Sequence, residues 1–169
     1  MAAEDTHREH LYELLEDFAV AMIVTHGIDG SMIARPMAIA RIERDGAMFF
    51  TTPVESTKAD EILADPNVTV VVQSKTQYAS VRGVAHLSLD RKLIHALWQE
   101  AWRAWYPAGK DDPDIAILIV VPHHAEYWDN AGTQGLRYAF EAARAYLAGR
   151  TPDDHEEHAE VDLTVRSHS

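Results

Sequence analysis

Residues 35–58 carry the side chains whose types and spacing best suit the binding of a phosphate group. Two strand-like runs bring a guanidinium and hydroxyl groups together, and the next residues add a hydroxyl and an ammonium where a helix is predicted to begin. Such donors bind phosphate, together with the unpaired N–H groups of a helix N-terminus. An exposed strand arginine followed by an ordinary helix cap would contain the same residue types, so both interpretations stay open. In chain order the donors are Arg35, Thr51, Thr52, Ser56, Thr57 and Lys58.

The elements that must position these donors are strands joined by short turns. Asp45-Gly46 is typical of a tight hairpin between the second and third strands, because this pair tolerates positive φ. Connections this short cannot hold crossover helices, so the strands are expected to pair antiparallel. The pattern predicts a mainly β fold, a six-stranded antiparallel barrel with peripheral helices. The predicted strands are residues 19–25, 32–42, 47–52, 68–75, 78–89 and 115–121, the last one continuing over 125–128.

Four helices are predicted around this barrel. The first follows a cap at Asp5 or Thr6 and carries apolar residues at helical spacing. The second begins after Ser56 or Thr57, and Pro66 lies beyond its end. The third begins after Asp90, and its apolar stripe favours packing in the core. The predicted spans are residues 6–18, 57–64, 91–105 and 134–148, and the third contains Trp98, Trp102 and Trp105.

Two strand segments carry further expectations about side-chain direction. Period-two alternation places Arg35, Met37, Ile39 and Arg41 on one face of their strand. Residues 115–121 are apolar on both faces, which predicts a strand covered on both sides, by a helix or by a second subunit.

Composition and charge exclude several classes of function. The net charge of −12 argues against nucleic-acid binding and against docking on anionic membranes. Neither an apolar run of the roughly 20 residues that span a bilayer nor a secretory signal is found, so a cytoplasmic location is expected. The absence of cysteine removes disulfides, thiolate metal sites and cysteine nucleophiles. Residues 1–149 are predicted to form one domain, and the acidic residues 150–169 a disordered tail.

No motif indicates a metal site or a catalytic side chain. The ten histidines show no HExxH or paired spacing, and adjacent His123 and His124 would point to opposite faces of a strand. His155 and His158 lie in the acidic tail. Ser56 lacks both a GxSxG-like elbow and an oriented histidine, and the chain lacks a GxGxxG fingerprint for a dinucleotide.

Taken together and in order, several short motifs resemble the FMN-binding split-barrel family of pyridoxamine 5′-phosphate oxidase-like proteins. Within that family, the general stress protein 26 type is the most similar. The resemblance covers about residues 11–149. The matching motifs are Arg35-Pro36-Met37, Phe49-Phe50-Thr51-Thr52, Ser56-x-Lys58, the stretch from Trp105-Tyr106-Pro107 to Asp112-Pro113, and Tyr127-Trp128.

The resemblance implies FMN as the cofactor and a homodimer with the flavin at the subunit interface. It implies that Lys58, with Ser56 and Thr57, binds the FMN phosphate, and that Arg35 lies near the phosphate or the pyrimidine edge. Backbone groups of two strands would line the isoalloxazine, and two tryptophans of the partner chain would complete the pocket. Those backbone groups belong to Pro36, Met37, Phe50, Thr51 and Thr52, and the tryptophans are Trp105 and Trp128.

The resemblance also leaves the activity open. Only Arg166-Ser167-His168, in the acidic tail, approaches the C-terminal Arg-x-His element of true pyridoxamine oxidases, so a vitamin B6 enzyme is not expected. The leading hypothesis is a flavin-dependent oxidoreductase of unknown substrate. One alternative is a non-enzymatic module for flavin or haem, with His86, His123 or His124 as an axial ligand. Another is a deazaflavin-dependent reductase.

Overall fold

The computed structural model describes residues 2–129 and 157–164. Within these residues, none of the helices has the length and apolar character needed to cross a membrane. The predicted helix at 134–148, His155 and Arg166-Ser167-His168 lie outside the described residues. The helices are α1 (Ala2–Glu16), α2 (Thr57–Ala64) and α3 (Arg91–Leu97), followed by two 3₁₀ helices at Glu100–Ala104 and Gly109–Asp111. The strands are β1 (Val20–His26), β2 (Met32–Ile42), β3 (Met48–Pro53), β4 (Asn67–Gln73), β5 (Gln77–Ser88), β6 (Ile115–Asp129) and β7 (Glu157–Asp162).

Six strands form the closed antiparallel barrel that the sequence predicts. They lie in the order β3-β2-β1-β4-β5-β6, and β6 pairs back with β3 to close the ring. The predicted hairpin joins β2 to β3, where Gly46 has a φ of 87° and donates its N–H to Glu43 O at 2.8 Å. This positive φ is why a glycine occupies the turn.

One edge of β6 pairs with two different strands, one after the other along its length. Its first part pairs with β3, and from His124 to Asp129 the same strand pairs with β7. Pro122, which has no N–H to donate, lies between the two ladders. The sequence predicts the residues of β7 to be part of a disordered tail. That prediction is wrong for Glu157–Asp162, because alternate side chains of this strand, Ala159 and Val161, are buried in the core.

Two apolar cores lie on opposite sides of the barrel wall. The first fills the barrel and includes side chains from α1 and β7. The second lies outside the wall, where α3 and the first 3₁₀ helix pack on Phe49, Ile115 and Ile117. The two-sided apolar run of β6 is therefore covered on its outer side by this chain's own helices, one of the two covers that the sequence allowed.

A bulge in β2 changes the predicted side-chain parity. Ile39 lies opposite Phe50 whereas Arg41 lies opposite Phe49, so β2 contains one extra residue at this point. Such an extra residue moves the following side chains to the other face. Arg41 accordingly stacks on the outer Phe49 ring at 4.9 Å, and the prediction that it shares a face with Arg35 is wrong.

The third predicted helix is shorter than expected. It begins after Asp90, which accepts the N–H of Lys92 at 2.9 Å as the sequence predicts, but it ends at Leu97. Trp98 has an extended ψ of 129°, and the chain resumes as the 3₁₀ helix Glu100–Ala104. This break lets Trp102 enter the outer core edge-to-face with Trp98, at 5.8 Å between the rings. The three tryptophans therefore do not form one α-helical stripe.

Candidate functional site

The barrel is split between β2 and β3. Their ladder is confined to the bulged pairing of Ile39, Arg41 and Ile42 with the first half of β3. Before Ile39, β2 pairs with β1 alone, and after Phe50, β3 pairs with β6 alone. In the described ladders, the facing edges of these two segments thus have no strand partner. Both segments belong to the predicted phosphate and flavin site, and the split makes their backbone groups available to a ligand.

An ion pair connects one side of this split to α2. Arg35 of β2 donates from Nη1 to Glu61 Oε2 at 2.6 Å and from Nη2 to Glu61 Oε1 at 2.7 Å. Thr25 of β1 joins the pair, accepting from Arg35 Nη1 at 2.9 Å and donating to Glu61 Oε2 at 2.7 Å. Glu61 is only 2% exposed and Thr25 is fully buried, whereas 27% of the Arg35 side chain remains exposed.

The electrostatics of this cluster follow from burial and proximity. The hydrogen bond from Arg35 holds the pKa of Glu61 below its ordinary value, because it stabilises the ionised carboxylate. Half-buried Lys58 precedes Glu61 by one helical turn, and burial, followed by repulsion from Arg35, lowers its pKa. The two cations and one carboxylate give the cluster a net positive charge, which suits an anionic ligand.

The helix N-terminus completes this group of donors. Ser56 is the N-cap, and its Oγ accepts the N–H of Ala59 at 3.2 Å. Thr52 is buried, with Oγ1 at 3.4 Å from the Ser56 hydroxyl, and Thr57 is the exposed first residue of the helix. Thr51 lies on the opposite face of β3 and donates to Tyr106 Oη at 3.1 Å.

Removal of the capping hydroxyl should destabilise the protein modestly. We expect Ser56→Ala to lower the free energy of unfolding by about 1 kcal/mol, because the Ala59 N–H loses its acceptor. Thr57→Ala is the matched control, since this exposed hydroxyl caps nothing. Urea denaturation of the ligand-free protein measures both changes. Equal losses in the two variants would contradict a capping role for Ser56.

The other predicted flavin-site residues fall into two groups. Pro36 is exposed on the outer face of β2, whereas the side chains of Met37 and Phe50 are buried in the core, so only their backbone groups could face a ligand. Trp105 is 71% exposed beyond the 3₁₀ helix, and Trp128 stacks on His158 of β7 at 4.9 Å. Among the described residues, neither tryptophan shares a hydrogen bond, ring contact or charge interaction with the Arg35 cluster.

Sequence reasoning missed two members of the cluster, Thr25 and Glu61. Each left a signal in the sequence. Glu61 follows Lys58 by three residues, which puts the two side chains on the same face of a helix. Thr25 has the same parity in β1 as the buried Ala21 and Ile23, which indicates a polar side chain turned towards the interior.

The histidines suggested as haem ligands lie apart from this cluster. His86 and His123 are exposed, and His124 Nε2 lies 3.3 Å from carboxylate oxygens of both Glu126 and Glu160. Within residues 2–129 and 157–164, no group of three or more histidine and carboxylate side chains is arranged to hold a metal ion.

Comparison with known proteins agrees with the fold. A structure of a candidate general stress protein 26 from Jannaschia sp. CCS1 is 31% identical, with a TM-score of 0.71 over 95% of this chain and 99% of that chain. The general stress FMN/FAD binding protein from the phytopathogen Xanthomonas citri is 29% identical, with a TM-score of 0.64 over 75% of this chain and 90% of that chain.

A sequence relative and a family model bear on the family of this chain. Protein bli-3 of Neurospora crassa is 28% identical over an alignment of 110 residues, and the match covers 57% of this chain and 53% of that protein. The chain thus aligns with about half the length of this curated relative. The family model described as pyridoxamine 5′-phosphate oxidase like matches residues 6–153, nearly the whole chain. The protein therefore belongs to the pyridoxamine 5′-phosphate oxidase-like family.

Proposed function

We propose that this chain is an FMN-binding flavoprotein that acts in the cytoplasm as a flavin-dependent oxidoreductase. The observation that carries the proposal is the position of a cationic cluster and a capped helix N-terminus beside a split in the barrel. The cluster offers the donors that a phosphate needs, and the split offers strand edges along which a flat ring system could lie. Family membership and the FMN/FAD-binding relative support the same ligand.

The residues present fit the flavin in distinct roles. Lys58 and the N–H groups at the start of α2 would hold the phosphate, with the hydroxyls of Ser56 and Thr57 beside it. Arg35 would bind the phosphate or the pyrimidine edge. The open strand edges at residues 36–37 and 51–52, together with the backbone of Phe50 where the β2–β3 ladder ends, would line the isoalloxazine.

The chemistry would come from the cofactor. A bound flavin supplies hydride and electron transfer, and the protein supplies binding, orientation and exclusion of water. The cluster presents no side chain that is needed as a general acid or base, so we assign no catalytic residue.

Spectroscopy of the purified protein tests the ligand and the activity separately. We expect the protein, as isolated or after addition of FMN, to show flavin absorption bands that are shifted and quenched relative to free FMN. A haem band would instead support the haem alternative, and preference for a deazaflavin would support the deazaflavin-dependent reductase. Bound FMN that no physiological donor reduces would overturn the oxidoreductase part and favour a storage or sensor role.

We further propose that two copies share the flavin site. The outer face of β1 and β2, next to the split, carries exposed apolar side chains in register. Val20 lies opposite Ala38, and Met22 lies between Pro36 of β2 and Val71 of β4. Val20 is 52% exposed and Met22 is 38% exposed, which is costly for a strand face unless another surface covers it. A second copy would cover this face and could bring its Trp105 or Trp128 to the flavin.

A charge placed on this face should separate the two copies. We expect Met22→Glu to shift the native mass from dimer to monomer and to weaken FMN binding, because a carboxylate would be buried at the interface. Leu89→Glu is the matched control, because this residue is also apolar and exposed but lies beyond the end of β5. A cofactor-loaded monomer of the unsubstituted protein in light scattering would contradict the shared site.

A further inference from the structure

The guanidinium of Arg35 is hydrogen-bonded along its Nη1–Nη2 edge, whereas its Nε–Nη2 edge is available to a ligand. Three of its five N–H donors are used, two by Glu61 and one by Thr25. The two that remain are the Nε–H and one N–H of Nη2, which lie side by side on the same edge. No residue in the described part of the chain accepts a hydrogen bond from Nε. This open edge matches the spacing of two phosphate oxygens.

Burial makes the held edge rigid. Glu61 is 2% exposed, and Thr25 is fully buried on β1, a central barrel strand. The Thr25 hydroxyl donates to Glu61 Oε2 at 2.7 Å and accepts from Arg35 Nη1 at 2.9 Å, so each member of the triad fixes the other two. A long arginine side chain loses much rotamer freedom in such a network before any ligand binds.

We propose that Glu61 is a positioning residue for the flavin phosphate, which holds Arg35 with its Nε–Nη2 edge towards the ligand. The inference rests on the proposed function, since it assigns a role within the same site. Glu61 itself does not touch the phosphate. Its charge is matched by Arg35, and Lys58 leaves the cluster with a net positive charge for the phosphate.

Two simpler roles for Glu61 predict different results. If the carboxylate only lowered the positive potential, its neutralisation would tighten FMN binding. If the ion pair only fastened α2 to the barrel, its loss would displace Lys58 and the helix N–H groups, so the effect of Glu61→Gln on FMN binding would shrink in a Lys58→Ala background. If Glu61 acts through Arg35, that effect would persist in the Lys58→Ala background. A positioning role predicts a selective loss for the ligand that carries a phosphate, because riboflavin lacks the group that Arg35 would meet.

Dissociation constants for FMN and riboflavin, measured by quenching of flavin fluorescence, separate these roles. We expect Glu61→Gln to weaken FMN binding about tenfold, the equivalent of one charge-assisted hydrogen bond, and to leave riboflavin binding unchanged. Thr25→Val, which changes no charge, should weaken FMN binding selectively and by less. This second variant keeps the test valid if Glu61→Gln folds poorly. Asp60→Asn, on the exposed side of α2, controls for the lost charge and should alter neither constant.

The outcomes distinguish this inference from the proposed function. Tighter FMN binding by Glu61→Gln, or equal losses for FMN and riboflavin in both variants, would overturn the positioning role. If the unsubstituted protein bound FMN no better than riboflavin, the phosphate site itself would be wrong. A selective loss of FMN binding in both variants, with the loss from Glu61→Gln retained in a Lys58→Ala background, would establish Glu61 and Thr25 as the support of Arg35. Disappearance of that loss in the Lys58→Ala background would overturn the positioning role.

Discussion

Lys58→Ala is expected to weaken FMN binding by about 10- to 100-fold, the loss that follows when one charge-assisted hydrogen bond to a phosphate disappears. The reason is the position of Lys58 in the first turn of α2, where its ammonium and the helix N–H groups would meet the same phosphate. Half-burial increases the effect, because fewer water molecules compete for the charge. Titration of the ligand-free protein with FMN measures the change.

Two variants make the Lys58 result specific. Lys58→Arg keeps a cation and should retain most of the affinity, whereas Lys75→Ala removes an exposed lysine from the β4–β5 turn and should have no effect. Burial lowers the pKa of Lys58, so its positive charge is lost at a lower pH than that of an ordinary lysine. FMN affinity should therefore fall as the pH rises through the alkaline range, and less so in Lys58→Arg. Unchanged affinity in Lys58→Ala would rule out this residue as a phosphate ligand.

Arg35→Ala should destabilise the ligand-free protein by about 3 kcal/mol at neutral pH, because it leaves Glu61 ionised and buried without its partner. We place the loss at the lower end for a buried pair because part of the Arg35 side chain reaches solvent. Chemical denaturation measures it. Arg82→Ala is the control, since its 3.8 Å contact with Glu126 is solvent-exposed and should contribute less than about 1 kcal/mol.

The loss of stability in Arg35→Ala should depend on pH. In the native protein the pKa of Glu61 is lowered by Arg35, so the stability that the pair contributes is present above the unfolded-state pKa of about 4.3 and is lost as the pH falls through the lower folded-state value. Without Arg35, burial raises the pKa of Glu61, and the carboxyl takes up a proton more readily. The stability difference between the two proteins should therefore shrink on acidification from pH 7 to about 4.

A double substitution provides the complementary test. Arg35→Met/Glu61→Leu replaces the pair with apolar side chains of similar size, which proteins often tolerate. It should recover most of the stability that Arg35→Ala loses. A double variant as unstable as Arg35→Ala would show that the loss does not come from the uncompensated charge of Glu61.

The parts of this fold that local sequence determines were predictable. The bounds of α2 match the prediction because Ser56 caps its start and Pro66 follows its end. The bounds of β2 and the turn at Gly46 match for similar reasons, since alternation and an Asp-Gly pair act over a few residues. The six-stranded barrel followed from these local features, because short connections allow only antiparallel neighbours.

The features that were missed depend on contacts between distant segments. The bulge in β2 needs one extra residue opposite β3, and no residue in β2 marks it. The α3 helix ends at Leu97, before the predicted end, because burial of Trp102 in the outer core favours a break in the helix. Ala159 and Val161 alternate with polar residues and are buried, which fixes β7 on the barrel. The many acidic residues around them made this short alternation hard to recognise in the sequence. Prediction of the Arg35–Glu61 pair required knowing that α2 packs against β1, the strand next to β2.

The order of the strands along the chain determines which parts of the barrel can form first. Every residue of the proposed phosphate site lies between β1 and the end of α2, and these elements follow one another directly. Barrel closure instead needs β6, whose ladder with β3 spans more than a third of the chain and carries a large loop-closure entropy. During synthesis, the phosphate-binding half thus leaves the ribosome before the strand that closes the barrel. Barrel closure should accordingly be the slow step of folding.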